Sequence, residues 1–231
     1  MSVFQFKKFS IEQKKSAMKV GTDGVLLGSW VSCKESDFIL DIGCGMGLIS
    51  LMLAQRSLAS TIVGIEIDTL SSQEAQLNIS NSTWNERINI YNTSLQDFNS
   101  KNKFDLIVSN PPFFPSVKLD QPRDIARHSN KLSFEELLKY TSILLSEKGI
   151  FSTIIPVDYE DCFFQIAKKY GFFCNRACYI KGNEMVKIKR LMLEFSFTNS
   201  QIKKEHLTIE KSRHNYTDRY IALCKDFYLS M

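Results

Sequence analysis

The chain has 231 residues, of which 44% are hydrophobic and 23% charged, and its net charge is +4. This length suits one α/β domain, alone or with a small appendage, and the composition is ordinary for a soluble globular protein. No run approaches the ~18 apolar residues that span a bilayer, and the start, MSVFQFKKFS, lacks the uninterrupted apolar stretch of a signal peptide.

Six scattered cysteines, Cys33, Cys44, Cys162, Cys174, Cys178 and Cys224, are then expected to be reduced thiols of a cytoplasmic protein. Cys174 and Cys178 have loose ligand spacing, but no second Cys or His pair lies near them in sequence. They read as buried small hydrophobes, and no metal is expected.

Residues 1–36 form an N-terminal extension with a helical stretch, GVLLGSW, which Asp23 is placed to cap. Beyond them, strand-length apolar runs recur: FILDIG, TIVGIEI, INIY, FDLIVS and GIFSTIIPV. Between these lie GLISLMLAQRS, LSSQEAQLNISNSTW and SFEELLKYTSILLSEKG, whose apolar positions keep helical spacing. Ser133 three residues before Glu136 makes a capping box, and Gly149 reads as the stop of that helix. Trp30 and Trp84 follow the helical apolar pattern and are expected in the core. After Pro156 come a further helix, VDYEDCFFQIAKKYG, and two longer strands, FFCNRACYIKG and KIKRLMLEFSF. Such alternation predicts an α/β fold, a doubly wound, mostly parallel sheet with helices on both faces, with its core over 37–200. Residues 201–231 read as a C-terminal helical tail. No repeat or low-complexity segment appears.

The charge is concentrated. Residues 181–213 carry eight Lys plus Arg against four Glu, an excess of +4 that equals the net charge of the whole chain. A basic C-terminal third fits a polyanionic partner; a merely solvated basic surface fits equally.

Ligands of such sheets bind at the carboxyl ends of the strands, and two segments fall there. In DIGCGMG, Gly43, Gly45 and Gly47 close a strand and open a helix, so backbone can approach a ligand closely. A dinucleotide fingerprint would want a third glycine where Leu48 stands, which argues against NAD. At the end of the next strand Glu66 is placed to accept two ribose hydroxyls; its competitor Asp68 more naturally caps the following helix. The other segment is SNPPFF. Neither proline can donate to a ladder and each restricts the residue before it, so the strand stops at Asn110.

Together, DIGCGMG, GIEID and SNPPFF resemble the class I S-adenosylmethionine-dependent methyltransferases that act on amino groups. The resemblance implies a Rossmann-like seven-stranded sheet with its last strand antiparallel, and S-adenosylmethionine as cofactor. It places Asp41 near the methionine moiety, Gly43, Cys44, Gly45 and Gly47 under it, Glu66 on the ribose, and Ser94, Leu95 or Asp97 at the adenine. Thr22 and Asp23 would cover the methionine end from the N-terminal helix.

An aromatic or amide NH₂ is a poor nucleophile because its lone pair is delocalised. Accepting hydrogen bonds from both of its N–H groups favours a pyramidal nitrogen as the methyl arrives. Asn110 offers a side-chain carbonyl, Pro111 a backbone carbonyl that Pro112 keeps out of a helix, and Phe113 a stacking face. Adenine, cytosine, guanine and glutamine amino groups all suit this clamp.

MKVGTDGVLLGSW, DIARHSNKLSFEELL, NPPFF, IKRLMLEFSF and YTDRYIALCKDFYL look like the bacterial valine-tRNA adenine-N6 methyltransferases, over nearly the whole chain. The substrate implied is the adenosine 3′ of the anticodon, an unpaired base that can be splayed out and stacked. Phosphate contacts would come from Lys118, Arg123, Arg127, His128, Lys187, Lys189 and Arg190. Arg127 and His128 suit RNA contact, proton acceptance or a plain surface role equally. The expected protein acts as a monomer. The competing readings are a protein-glutamine N5-methyltransferase, an rRNA or DNA amino-methyltransferase and a catalytically silent RNA-binding module.

Overall fold

A computed structural model describes residues 3–16, 18–112 and 132–231. The N-terminal hairpin pairs β1 (Val3–Gln5) with β2 (Ser10–Glu12), and α1 (Thr22–Trp30) follows. The central alternation runs β3 (Phe38–Ile42), α2 (Leu48–Arg56), β4 (Thr61–Glu66), α3 (Thr69–Ser80), β5 (Ile88–Asn92) and β6 (Phe104–Ser109). It continues with α4 (Phe134–Leu144), β7 (Leu145–Pro156), α5 (Glu160–Lys169), β8 (Phe173–Lys181) and β9 (Arg190–Ser196). The C-terminal part comprises β10 (Lys203–Thr208), β11 (Glu210–Ser212), β12 (Asn215–Tyr216) and α6 (Asp218–Cys224).

Eight strands form the main sheet in the order β10-β8-β9-β7-β6-β3-β4-β5. Only β9 runs antiparallel to its neighbours, between β7 and β8. The seven-stranded expectation therefore needs one addition: β10 joins the edge parallel to β8. That strand lies in the stretch read as a helical tail. Its charges suit an exposed edge strand, and Leu207 alone is buried. Helix in the tail is confined to α6.

Period-two alternation divides the core between the two faces of the sheet. Ile39, Ile62, Leu106, Ile154 and Met192 pack on one side with Leu27 and Met52 from α1 and α2. Their chain neighbours Leu40, Val63, Ile107, Ile155 and Leu193 pack on the other with Leu137 and Phe163 from α4 and α5. Trp30 is buried as expected, whereas Trp84 lies beyond the end of α3 and only half enters the core. Cys174 and Cys178 are both buried on β8.

The capping box forms, with Ser133 Oγ accepting from the Glu136 N–H at 3.1 Å. The helix it starts stops at Leu144, five residues before Gly149. Leu145 pairs with Phe104 across an irregularity in the β6–β7 ladder, and long-range pairing overrides local helix propensity there. Gly149 lies inside β7, where a Cβ would come within 2.7 Å of Leu145 and 2.9 Å of the Phe104 carbonyl. It permits close approach rather than a stop.

Phe195 is buried at the centre of an aromatic cluster, its ring 5.6–6.4 Å from those of Phe151, Phe163, Phe164 and Phe172. Truncation there leaves a cavity that rigid sheet and helix cannot close. Phe195→Ala should lower unfolding stability by about 3–5 kcal/mol in a urea titration; a loss below about 1 kcal/mol would show that the cluster can collapse.

Candidate active site

The carboxyl ends of β3, β4 and β6 open into a cavity of about 1590 Å³. The glycine loop forms its floor. Gly43 and Cys44 both donate backbone N–H to the Ile65 carbonyl, at 2.9 and 3.0 Å, which folds the loop back over β4. Gly43 and Gly45 hold φ of +69° and +56°, and a Cβ at either would meet nothing within 4 Å. The space is open, but the backbone conformation favours glycine. Gly47 differs: it starts α2, does not line the cavity, and packs against Ala75 and Ile79 of α3. Cys44 is buried, and that burial pushes its thiol well above the usual range, so it acts as a small hydrophobe.

Glu66 ends β4 with a bidentate role. Its carboxylate accepts the Gly45 N–H at 2.9 Å and the Asp68 N–H at 2.8 Å, and it lines the cavity. Two acceptor sites remain for hydroxyl donors. Asp68 caps α3 by accepting the Ser71 N–H at 2.8 Å, and these hydrogen bonds hold its carboxyl below the usual range.

Asp41, expected near a methionine moiety, lies on β3 one residue before its end. It is fully buried and does not line the cavity. One oxygen accepts the Ser50 hydroxyl at 2.7 Å and the other has no partner among the described residues. Burial pushes its carboxyl up to about 7, opposed by the Ser50 hydrogen bonds and reinforced by the charge on Glu66.

Ser94 and Leu95 line the cavity; Asp97 does not. Asp97 instead accepts the Ser94 hydroxyl at 2.6 Å and returns its N–H to the same oxygen at 3.1 Å. That closed turn withdraws the Asp97 carboxylate from the cavity and leaves Ser94 and Leu95 as neighbours of whatever fills it.

Thr22 and Asp23 form part of another wall. Asp23 does not cap α1, whose cap position is Gly21. Its carboxylate accepts from Arg190 Nε at 2.7 Å, in an ion pair half-shielded from water. Arg190 therefore belongs to the cavity wall, while Lys187 and Lys189 stand exposed on the β8–β9 connection.

Asn110, Pro111 and Pro112 complete the opposite wall. Ser109 Oγ donates to the Ile42 carbonyl at 3.0 Å, tying the end of β6 to the end of β3 beside the glycine loop. Among the described residues, nothing hydrogen-bonds the Asn110 amide or the Pro111 carbonyl. Phe113, Lys118, Arg123, Arg127 and His128 lie outside the described residues. No group of three or more His, Cys, Asp or Glu that could hold a metal occurs among the described residues.

A family model described as the methyltransferase small domain matches residues 16–131. A Bacteroides fragilis protein named tRNA1(Val) (adenine(37)-N6)-methyltransferase is 46% identical over 99% of this chain and 98% of its own. Relatives of the same name from Flavobacterium psychrophilum and Pseudoalteromonas translucida are 44% and 41% identical, each covering at least 99% of this chain and 100% of their own. Among solved structures, a predicted O-methyltransferase of Agrobacterium tumefaciens superposes with a TM-score of 0.70 at 17% identity, over 89% of this chain and 96% of that one. Pyrococcus horikoshii TYW2 in complex with MeSAdo gives 0.61 at 16%, over 84% and 69%. These two show the fold. The chain belongs to the tRNA1(Val) (adenine(37)-N6)-methyltransferase family.

The buried Asp41 carboxyl carries a pH signature. The unfolded chain ionises it near pH 4, whereas the folded chain holds the proton up to about 7. The folded state thus binds more protons in that window, and stability falls as pH rises through it. Relative to Asp41→Asn, the wild type should lose unfolding stability between about pH 4 and 7, with a slope of at most about 1.4 kcal/mol per pH, and level off above. Urea titrations of both proteins across that range would show it; parallel curves would mean that Asp41 stays ionised.

Proposed function

We propose that this member of the family transfers a methyl group from S-adenosylmethionine to the N6 amine of adenosine 37 in valine tRNA, in the cytoplasm and as a monomer. The observation that carries the chemistry is the Asn110-Pro111-Pro112 wall, fixed through Ser109 beside the glycine loop. The substrate follows from the names of the full-length relatives.

The site fits the cofactor by its donor set. The open space over Gly43 and Gly45 admits a ligand against backbone, and the free lone pairs of Glu66 suit ribose hydroxyls. Glu135 and Glu136 also line the cavity, on the side of α4. When bound, S-adenosylmethionine supplies an electrophilic methyl group on a sulfonium. The chain's own part is to hold the accepting nitrogen. Asn110 Oδ1 and the Pro111 carbonyl accept its two N–H groups and favour the pyramidal nitrogen that attack requires. The paired prolines fix both acceptors in advance, so little ordering remains at the moment of reaction. Lys187 and Lys189 suit phosphate contacts on the same RNA. Phe113 and the cations between 118 and 128 belong to this proposal as the stacking face and further phosphate contacts. No helix among the described residues is long and apolar enough to cross a membrane.

Asn110→Ala tests the clamp. An acceptor that matters mainly in the transition state should cost turnover, not binding. Single-turnover methylation of valine tRNA should slow by about 10²–10³, with affinity for S-adenosylhomocysteine and for tRNA unchanged. Near-normal turnover would reduce the motif to a rigid turn, and methylation of a release-factor glutamine instead of tRNA would change the substrate class.

A further inference from the structure

Helix α3 carries a polar stripe that faces inward. Ser71, Glu74 and Asn78 stand three and four residues apart, on one side of the helix, and all three are buried. Glu74 is only 3% exposed. A carboxylate so placed needs partners, and backbone supplies them. Lys14 and Lys15 donate their N–H groups to Oε1 at 2.5 and 2.9 Å, and Ser16 donates to Oε2 at 2.8 Å. No cationic side chain pairs with Glu74 among the described residues. One turn on, Asn78 Oδ1 accepts the Glu12 N–H at 2.8 Å. Its Nδ2 donates at 3.0 Å to both the Glu12 and the Met46 carbonyls, the second being in the glycine loop. Ser71 Oγ donates to Ser16 Oγ at 3.1 Å.

The chain that this stripe holds leads straight into the site. Ser16, Met18, Lys19, Thr22 and Asp23 line the same cavity as Gly43, Gly45 and Glu66. Internal ties keep its course: Lys19 Nζ donates to the Gln13 and Ser16 carbonyls, and Gln13 Oε1 accepts the Val20 N–H at 2.8 Å. The far end is anchored by the Asp23–Arg190 pair. Residues 12–16 and 18–23 thus form a strap fastened at one end by α3 and at the other by β9.

We infer that Glu74 is a positioning residue for cofactor binding. Its carboxylate gathers three successive N–H groups and so sets the strap as a wall of the cofactor cavity, without touching the ligand. The inference rests on the cofactor reading proposed above. Without the carboxylate those N–H groups regain partners only by swinging into water. Its hydrogen bonds all go to backbone of the strap, so the loss falls there first.

Calorimetric titration of the full chain with S-adenosylhomocysteine, paired with limited trypsin digestion without ligand, tests this. Glu74→Ala should bind about tenfold more weakly, whereas Glu74→Gln, whose amide oxygen can keep the Lys14 and Lys15 bonds, should lose about two- to threefold. Turnover at saturating S-adenosylmethionine should be unchanged in both, the effect appearing in KM. Trypsin should cut after Lys14 and Lys15 about fivefold faster in Glu74→Ala, because local opening exposes them. Equal affinities with equal cleavage rates, or a fall in turnover at constant KM, would overturn the inference. A wild type that binds no S-adenosylhomocysteine would overturn the cofactor reading, while the cleavage rates would still decide whether Glu74 pins the strap. Should Glu74→Ala not fold, Glu74→Gln decides: wild-type affinity and cleavage in it would overturn the proposal.

Discussion

At the carboxyl end of β4 the Glu66 side chain accepts the N–H groups of Gly45 and Asp68, and much of the site's geometry follows from that one carboxylate. The first bond draws the glycine loop toward the strand end; the second sets the turn into α3, which Asp68 then caps. Because α3 is aimed this way, its stripe of Ser71, Glu74 and Asn78 meets both the N-terminal strap and the Met46 carbonyl. A charge-assisted hydrogen bond of this kind is worth about 1.5–3 kcal/mol. Here its larger consequence is placement, since floor, strand end and strap are brought to one cavity.

The same economy governs the opposite wall. The end of β6 carries two prolines and cannot prolong the ladder, so Ser109 ties it sideways to the Ile42 carbonyl. Asn110 and Pro111 are thereby held with acceptors that no other described residue engages, beside a loop whose glycines leave open space. Nearby charge is used in pairs: Asp23 holds Arg190 on the wall. On the outer sheet, Arg176 binds Glu194 and Glu205 and lies 4.0 Å from the Trp30 ring. Those acids are spent internally, which leaves Lys187, Lys189, Lys204 and Arg213 among the exposed positive charges of the basic stretch 181–213.

Much of this was legible in the sequence, for physical reasons. Strands β3, β4, β6 and β7 show as apolar runs because both faces of a parallel sheet are covered at its centre. The site motifs show because glycine and proline have conformational roles that no other residue fills. Three features were hidden. The edge strand β10 reads as polar helix, because one buried Leu207 gives no periodicity. Gly149 reads as a helix stop, because its reason for being glycine is a neighbour distant in sequence, Phe104. Glu74 draws no attention in the sequence, because its partners are backbone N–H groups some 58–60 residues away and carry no side-chain signature. A polar trio at positions 71, 74 and 78, where a helix would otherwise bury apolar residues, was the one available signal.

In the proposed reaction this cavity brings the N6 amine of an unpaired adenosine against a fixed pair of acceptors. Mass mapping of nuclease fragments from unmodified valine tRNA, incubated with the purified chain and S-adenosylmethionine, is the decisive test. The expected product is N6-methyladenosine confined to the fragment that carries adenosine 37, with none formed when that adenosine is replaced by guanosine. Methylation that persists after the replacement, or no methylated nucleoside at all, would contradict the proposal.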